Sequence, residues 1–246
     1  MALALIAVLG IVLGVAIGAV GIGGVLLVPA LAIALELDVK RAIAAALFSY
    51  LPSCVVAVTL YARRGSIPWR EAWVLCAAAL PGAWLGARVS HIAPGGLLEA
   101  AIGALLLTGG LYALRGPGEV ANRRSYIPIA TLLGLGAATG FIAALTGAGG
   151  AFVLLPVLLL LDVPILPAIG LGQAIALPIA GLASVVNLVE GLVDLRLALI
   201  LAVTLSVGIA IGTPIAHSLP QAALRRLLGI VVVLAGIAML VRAAVH

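Results

Sequence analysis

The sequence predicts an all-α polytopic membrane protein made of two homologous repeats of five segments each, and three observations support this prediction. Hydrophobic residues make up 65% of the 246 residues and charged residues 9%, whereas soluble domains average about 45–50% and about 25%. The apolar residues form uninterrupted stretches instead of alternating with polar residues, which favours membrane helices over a membrane barrel. A glycine cluster also recurs at a distance of 126 residues.

Charged residues divide the chain into ten apolar stretches. A membrane-spanning helix needs about 20 apolar residues, and most of these stretches approach that length. The first stretch lacks a basic segment before it and a cleavage site after it, so we expect a retained helix and not a signal peptide. In chain order the stretches cover 2–20, 25–35, 42–62, 72–87, 97–114, 127–146, 151–161, 163–189, 197–216 and 227–241.

Two of the ten stretches are too short to span a membrane. Residues 25–35 and 151–161 number 11 in each case, which is about 16 Å of helix. Each stretch follows a glycine cluster, Gly21-Ile-Gly-Gly24 in the first half and Gly147-Ala-Gly-Gly150 in the second. Short segments interrupted by glycine at matching places in two halves are typical of a transporter's binding site.

A shift of 126 residues aligns the two halves of the sequence. Ten glycine pairs fall in this single register, where random placement would give roughly two. The polar stretch between the halves contains three arginines and reads as a connection. We therefore predict a first transmembrane repeat over 1–114, a linker over 115–125 and a second transmembrane repeat over 126–246.

The basic residues place the linker in the cytoplasm. The loop at 63–70 also carries three arginines and is two spans away from the linker, so both are expected on the same side. The repeats are either inverted or parallel, because this depends on whether each short segment adds a crossing. Lys and Arg number eight inside and five outside in both arrangements. Differences between corresponding loops favour inversion, with both termini outside.

The positions of the charges exclude several functions. None of the 21 charged residues lies in the middle of an apolar stretch, unlike the intramembrane carboxylates and histidines of proton pumps. No serine has a histidine at helical spacing and no two carboxylates face each other in a span, so we predict no catalytic residues, no metal site and no cofactor. Cys54 and Cys76 are expected to be small buried hydrophobic residues. No basic run with interleaved aromatic residues predicts binding to nucleic acid.

The two glycine clusters form the predicted binding site. Glycine tolerates positive φ, so each cluster can break its helix and let the backbone approach a ligand closely. The helix that restarts afterwards presents free N–H groups and the positive end of its dipole, which can hold an anion without a charged side chain. The alternative is that these glycines only allow close helix packing. The predicted binding residues at the breaks are Gly21, Gly23, Gly24, Val25, Thr146, Gly147, Gly149, Gly150 and Ala151.

Polar residues in the long helices after the breaks supply further candidate contacts. Ser49 and Ser53 follow the first break, and Gln173, the only amide deep in an apolar stretch, follows the second. A buried amide needs partners, so Gln173 serves either the substrate or a neighbouring helix. Ser184 and Asn187 lie further along the same stretch, and Asn187 is near a helix end, where a capping or interface role is expected.

The glycines outside the clusters are expected to pack helices together, because they are isolated or four residues apart. This group comprises Gly10, Gly14, Gly82, Gly86, Gly103 and Gly110. A bulky residue at Gly150 is therefore expected to abolish function, whereas alanine at Gly103 is expected to be tolerated.

The two breaks, each followed by a short apolar run and a proline, resemble those of the TauE/SafE family of sulfite exporters, also called the toluene-sulfonate uptake permeases. Length, duplication and the central basic linker match as well, so the resemblance covers nearly the whole chain. The matching residues are Gly21-Ile-Gly-Gly-Val-Leu-Leu-Val-Pro29-Ala-Leu31, Thr146-Gly-Ala-Gly-Gly-Ala-Phe-Val-Leu-Leu-Pro156, Tyr61-Ala-Arg-Arg-Gly65 and the Gly-Ala-Arg at 86–88.

The resemblance implies a bacterial or archaeal inner-membrane permease for sulfur-containing anions such as sulfite or organosulfonates. Many relatives place a polar or basic residue in the helix after the break. In this sequence Leu47 occupies that place in the first half and Gln173 in the second. An anion would therefore be held by helix ends, hydroxyls and one amide.

We predict a secondary transporter and not an enzyme, with a small sulfur-containing anion as its substrate and the lipid bilayer as its surroundings. A homodimer is a further expectation. Two alternatives stay open: a passive channel with the same anion filter, and a non-transporting membrane subunit of a larger complex. Saturable flux with counterflow distinguishes the transporter from the channel, and a co-purifying partner without flux indicates the subunit.

Overall fold

The computed structural model describes residues 2–21, 23–114, 127–161, 163–215 and 221–245. These residues form ten α-helices and one short 3-10 helix, with no β-strand among them, so the predicted all-α fold is confirmed. Five of these helices are long and apolar enough to cross a membrane. The elements are α1 Ala2–Val20, the 3-10 helix Gly23–Leu26, α2 Leu27–Ala34, α3 Val39–Arg63, α4 Trp69–Ile92, α5 Gly95–Leu114, α6 Ile129–Thr146, α7 Gly150–Leu160, α8 Ile165–Val189, α9 Leu195–Ile215 and α10 Gln221–Val245.

Polar caps and prolines set the starts of several helices. The Asp38 carboxylate accepts a hydrogen bond from the Lys40 backbone N–H at 3.0 Å at the start of α3. Asp194 accepts from the Arg196 N–H at 3.0 Å at the start of α9. Both carboxylates occupy the end of a helix where its N–H groups lack intrahelical partners. Prolines, which tolerate this position because they have no N–H group, precede α4, α6 and α8 at Pro68, Pro128 and Pro164.

Three pairs of helices pack closely along rows of small residues: α1 with α9, α4 with α6, and α5 with α10. A Cβ atom on Gly14 of α1 would lie 2.9 Å from the Gly208 Cα of α9. A Cβ atom on Gly136 of α6 would lie 2.7 Å from the Leu75 carbonyl oxygen of α4. The helix backbones touch at these points, so the packing role predicted for the glycines outside the clusters is confirmed.

The expectation that Gly103 tolerates alanine is wrong. A Cβ atom at Gly103 would lie 2.7 Å from Leu240 Cγ and 3.0 Å from the Gly236 carbonyl oxygen, across the contact between α5 and α10. Adding a methyl group to a contact this tight typically costs about 1–3 kcal/mol. Gly134 of α6 is the tolerant position, because a Cβ atom there would have no neighbour within 4 Å.

Corresponding helices of the two halves run in opposite directions. Helix α8 begins beside the end of α3, since a Cβ atom on Gly170 would lie 2.9 Å from the Ser66 carbonyl oxygen. Further along, Gly181 of α8 lies beside Leu51 of α3, so these two helices are antiparallel. Helices α4 and α6 are parallel to each other, as are α1 and α9, while α5 and α10 are antiparallel. An inverted pair of repeats requires these directions.

The helix directions define two faces of the bundle. We call the end where α3 and α5 finish and α6 begins the linker face. At the opposite face α3 begins and α4 ends, and there the Lys40 ammonium donates to the His91 carbonyl oxygen at 2.7 Å. The predicted linker, 115–125, lies outside the described residues, and the division into two duplicated repeats stays a prediction.

A buried ion pair near the opposite face joins α10 to the first half. Arg242 Nε lies 2.8 Å from Glu99 Oε1, and the Glu99 side chain is only 5% exposed. The same guanidinium donates to the Ala32 carbonyl oxygen and, at 3.2 Å, to that of Leu37. Arg242 therefore links the end of the short helix α2 to α5. These contacts help to position the break before α2.

Candidate functional site

The two predicted breaks meet at one cavity between the halves. It has about 20 Å³ of space for the centre of a water molecule, so it can hold one or two waters or a ligand of similar size in this conformation. Seven of the twelve predicted binding residues line it, which are Gly21, Gly24, Ser53, Gly149, Gly150, Ala151 and Gln173. The other lining residues are Ile17, Tyr50, Cys54, Ala148, Phe152, Ala176 and Ile209.

The first break turns the chain back from the end of α1. The Gly21 N–H donates to the Ile17 carbonyl oxygen at 2.9 Å, which closes the last turn of α1. Gly21 then takes a φ of +76°, a conformation that residues with a side chain rarely adopt. The chain restarts as the 3-10 helix that leads into α2. The Tyr50 hydroxyl of α3 donates to the Gly24 carbonyl oxygen and so holds the restart against α3.

The second break also contains glycines with positive φ, but an α-helix follows it directly, without a 3-10 helix. Gly147 caps α6 at a φ of +67° and donates to the Ala143 carbonyl oxygen at 2.9 Å. Gly149 also has a positive φ, +77°, and α7 starts directly afterwards at Gly150. A Cβ atom on Gly150 would lie 2.8 Å from Ile175 Cγ2 of α8. Glycine at this position therefore lets the first turn of α7 press against α8 at the edge of the cavity.

The start of α7 supplies the positive end of a helix dipole at the cavity. Gly150, Ala151 and Phe152 form its first turn and all three line the cavity. N–H groups in a first helical turn have no intrahelical acceptor, and they carry partial positive charge. This is the backbone arrangement that binds anions at helix N-termini.

Two polar side chains complete the lining. Gln173 of α8 is 2% exposed, and its Nε2 atom has no hydrogen-bond partner among the residues that the structure describes. The Ser53 hydroxyl donates to the Ser49 carbonyl oxygen at 2.8 Å and accepts from the Ser206 hydroxyl at 3.4 Å. Gln173 thus offers a free donor to the cavity, whereas Ser53 is already engaged.

The cavity contains no formal charge among its described lining residues. Within the described part of the chain there is also no group of three His, Cys, Asp or Glu residues that could hold a metal ion. What the arrangement offers is a set of neutral donors in an apolar wall. Such a site suits an anion that accepts several hydrogen bonds.

The remaining predicted residues lie away from the cavity or support it indirectly. Val25 is buried behind the break. The Ser49 hydroxyl donates to the Ala46 carbonyl oxygen at 2.8 Å, and the Thr146 hydroxyl donates to that of Ile142 at 2.7 Å. Gly147 is packed against Val28 and Ile43, and Gly23 belongs to the backbone of the 3-10 helix.

Tyr50 and Cys54 are the functional candidates that the sequence did not reveal. Both lie in the apolar sequence of α3. Residues that face a cavity and residues that pack against another helix are equally apolar there, so the sequence does not distinguish them. One signal could have found Tyr50. Tyr50 lies three residues before the predicted contact Ser53 and therefore on the same face of the helix.

Comparison with known proteins gives one match. The model of the family described as Sulfite exporter TauE/SafE matches residues 4–239. No curated protein and no solved structure matches the chain. The family match covers nearly the whole chain, including both breaks and every helix that lines the cavity.

Proposed function

This chain belongs to the sulfite exporter TauE/SafE family of membrane transporters, and we propose that it is a secondary transporter that carries a small sulfur-containing anion by alternating access. The observation that carries the proposal is the unpartnered Gln173 amide in a cavity where both helix breaks meet. The amide and the first turn of α7 converge on a space whose described lining residues carry no charge. A small anion with several acceptor oxygens would satisfy these donors together.

Sulfite is the proposed substrate that fits this cavity with the least expansion. The cavity has room for one or two water molecules, whereas sulfite has four heavy atoms, so the cavity must widen for sulfite as well, but less than for a larger anion. An organosulfonate presents the same oxygens with an organic group attached, so it requires the cavity to widen. Apolar neighbours such as Phe152 and Ile209 would receive that group.

We also propose that the two halves are inverted repeats and that the linker face is cytoplasmic. The opposite directions of corresponding helices support the first statement. Eight of the 13 Lys and Arg residues fall, in sequence, near a helix end at the linker face or between α5 and α6. This excess of basic residues supports a cytoplasmic linker face. A prokaryotic inner membrane is the proposed location.

Uptake of radiolabelled sulfite into proteoliposomes tests the function directly. We expect saturable uptake and counterflow, in which unlabelled sulfite trapped inside accelerates the entry of labelled sulfite. Liposomes without protein give the background. Absence of flux for sulfite and for organosulfonates, in protein that keeps its unfolding temperature, overturns the proposal. Single-channel current without counterflow would instead indicate a passive channel.

A further inference from the structure

Three buried polar side chains lie on one face of α8. Gln173, Ser184 and Asn187 are 11 and 14 residues apart, which corresponds to about three and four turns of a helix with 3.6 residues per turn. They are 2%, 1% and 2% exposed. Each has a polar atom that finds no partner among the described residues: Gln173 Nε2, Ser184 Oγ and Asn187 Nδ2.

The rest of this face is made of small side chains. Ala176 and Ala180 fall between Gln173 and Ser184 on the same side of the helix, and both are buried. Pro178 lies on the other side of α8, away from this row. Leu177, four residues after Gln173, borders the same side of α8. Two alanine methyl groups therefore separate the polar side chains along this face, and one longer apolar side chain lies beside them.

The polar row connects the cavity to one face of the bundle. Gln173 lines the cavity, and Asn187 lies in the last turn of α8, at the face opposite the linker. The distance along the helix axis is about 21 Å. Beyond that turn, Glu190 forms an exposed ion pair with Arg88 at 3.9 Å, so the row reaches the surface.

Unpartnered buried donors need an explanation, because each loses its hydrogen bonds to water without replacement. Polar residues inside membrane helices generally face a bundle interior or a water-filled passage. Helix α8 is the most deeply buried of the five membrane-capable helices. The two unpartnered amide nitrogens can only donate and the serine hydroxyl can donate as well as accept, so these groups can together hold an anion.

We propose that the α8 face formed by Gln173, Ser184 and Asn187 lines the route by which the anion passes between the cavity and the face opposite the linker. The route is closed in this conformation, since all three side chains are buried. It opens when the two halves move apart along α8. This inference rests on the proposed transport function. It adds the path that the anion takes and the polar side chains that line this path.

Helix α3 does not carry a matching row towards the linker face. The positions that correspond to Gln173, Ser184 and Asn187 under the shift of 126 residues are Leu47, Val58 and Tyr61. The Tyr61 hydroxyl donates to the Gly18 carbonyl oxygen at 3.0 Å, which ties α3 to the end of α1. The donor row is thus a feature of the second half alone.

Chemical access to introduced cysteines tests the route. The variants Ser184→Cys and Asn187→Cys are compared with Val185→Cys, whose parent side chain is 58% exposed on the outer surface of the same helix turn. A charged, membrane-impermeant maleimide is added from the side opposite the linker and then removed with excess thiol, and sulfite uptake is measured afterwards. The maleimide forms a thioether, which sulfite does not cleave. The wild-type protein shows the background from its two native cysteines.

We expect the reagent to inhibit Ser184→Cys and Asn187→Cys about tenfold faster than Val185→Cys, because a lipid-facing thiol is not reached by a charged reagent. The route is overturned if both variants transport sulfite and react no faster than Val185→Cys. Failure of the wild-type protein to transport any anion would instead remove the proposed function, and the route with it.

A second pair of variants separates a route from mere helix packing. Ser184→Ala and Asn187→Leu remove the unpartnered groups without adding charge. For a route, we expect sulfite uptake to fall about tenfold or more, while the unfolding temperature is unchanged or higher. A fall in the unfolding temperature with undiminished uptake per folded molecule would show that these side chains only join helices.

Discussion

Replacing Gln173 with leucine separates substrate binding from structural stability. Leucine occupies the aligned position in the first half, Leu47, so it is compatible with a buried place in this type of helix. Gln173 is 2% exposed and its Nε2 atom has no partner among the described residues. The substitution therefore removes a donor that no described residue satisfies and that a bound anion would engage.

The structure indicates opposite effects on stability and on transport. A buried donor without a partner costs about 1–3 kcal/mol, so the free energy of unfolding should stay the same or rise by up to that amount. A hydrogen bond to a charged group contributes about 1.5–3 kcal/mol. Its loss should raise the KM for sulfite by about 10- to 150-fold, since each 1.4 kcal/mol is a factor of ten.

Initial rates of sulfite uptake in proteoliposomes give the KM, and thermal unfolding in detergent gives the stability. Ser49→Ala is the matched control, because Ser49 is buried in the neighbouring helix α3 but its hydroxyl donates to the Ala46 carbonyl oxygen at 2.8 Å. We expect the control to keep the KM of the wild type. An unchanged KM for Gln173→Leu, or a clear fall in its unfolding temperature, would refute the reasoning.

Two further predictions concern packing at the break and the buried ion pair. Gly150→Ala should lower the free energy of unfolding by about 1–3 kcal/mol and reduce sulfite uptake, because its Cβ atom would lie 2.8 Å from Ile175 Cγ2. Gly134→Ala, with no neighbour within 4 Å, should leave uptake unchanged and should not lower the free energy of unfolding, because alanine is the better helix former. Glu99→Ala should cost about 3 kcal/mol in thermal unfolding, because it leaves the Arg242 guanidinium without its carboxylate. Adding Arg242→Met should recover only part of that loss, because the guanidinium also donates to the Ala32 and Leu37 carbonyl oxygens. A double variant as unstable as the single one would contradict this explanation.

The helix breaks could be predicted because their signals are local in sequence. Clusters of glycine next to short apolar stretches mark the places where the chain can take positive φ, and Gly21 and Gly149 do so. The short stretches after them follow from helix geometry alone. The sequence also predicted that the two breaks would act together, and both line one cavity with Gln173.

Other features of the site depend on packing between distant segments. The hydrogen bond from the Tyr50 hydroxyl to the Gly24 carbonyl oxygen joins residues of two different helices, and no periodic pattern in α3 singles out Tyr50. The sequence alone left the helix directions open. Inverted and parallel repeats give the same numbers of Lys and Arg on the two sides of the membrane, so the charges do not distinguish them. Contacts such as Gly170 with Ser66 fix those directions, and they join segments about 100 residues apart.

A neutral binding site suits a carrier whose empty form must also change conformation. A buried guanidinium or ammonium group without its anion would cost several kcal/mol in every empty state, whereas an unpaired neutral donor costs about 1–3 kcal/mol. Gln173 is such a donor, and no described residue around the cavity is charged. Neutral donors also bind weakly enough for release, which flux requires as much as entry. Selection among anions then depends on how many acceptor oxygens reach the amide and the first turn of α7 at once. Sulfite, with three oxygens on one centre, meets that condition better than a halide ion does.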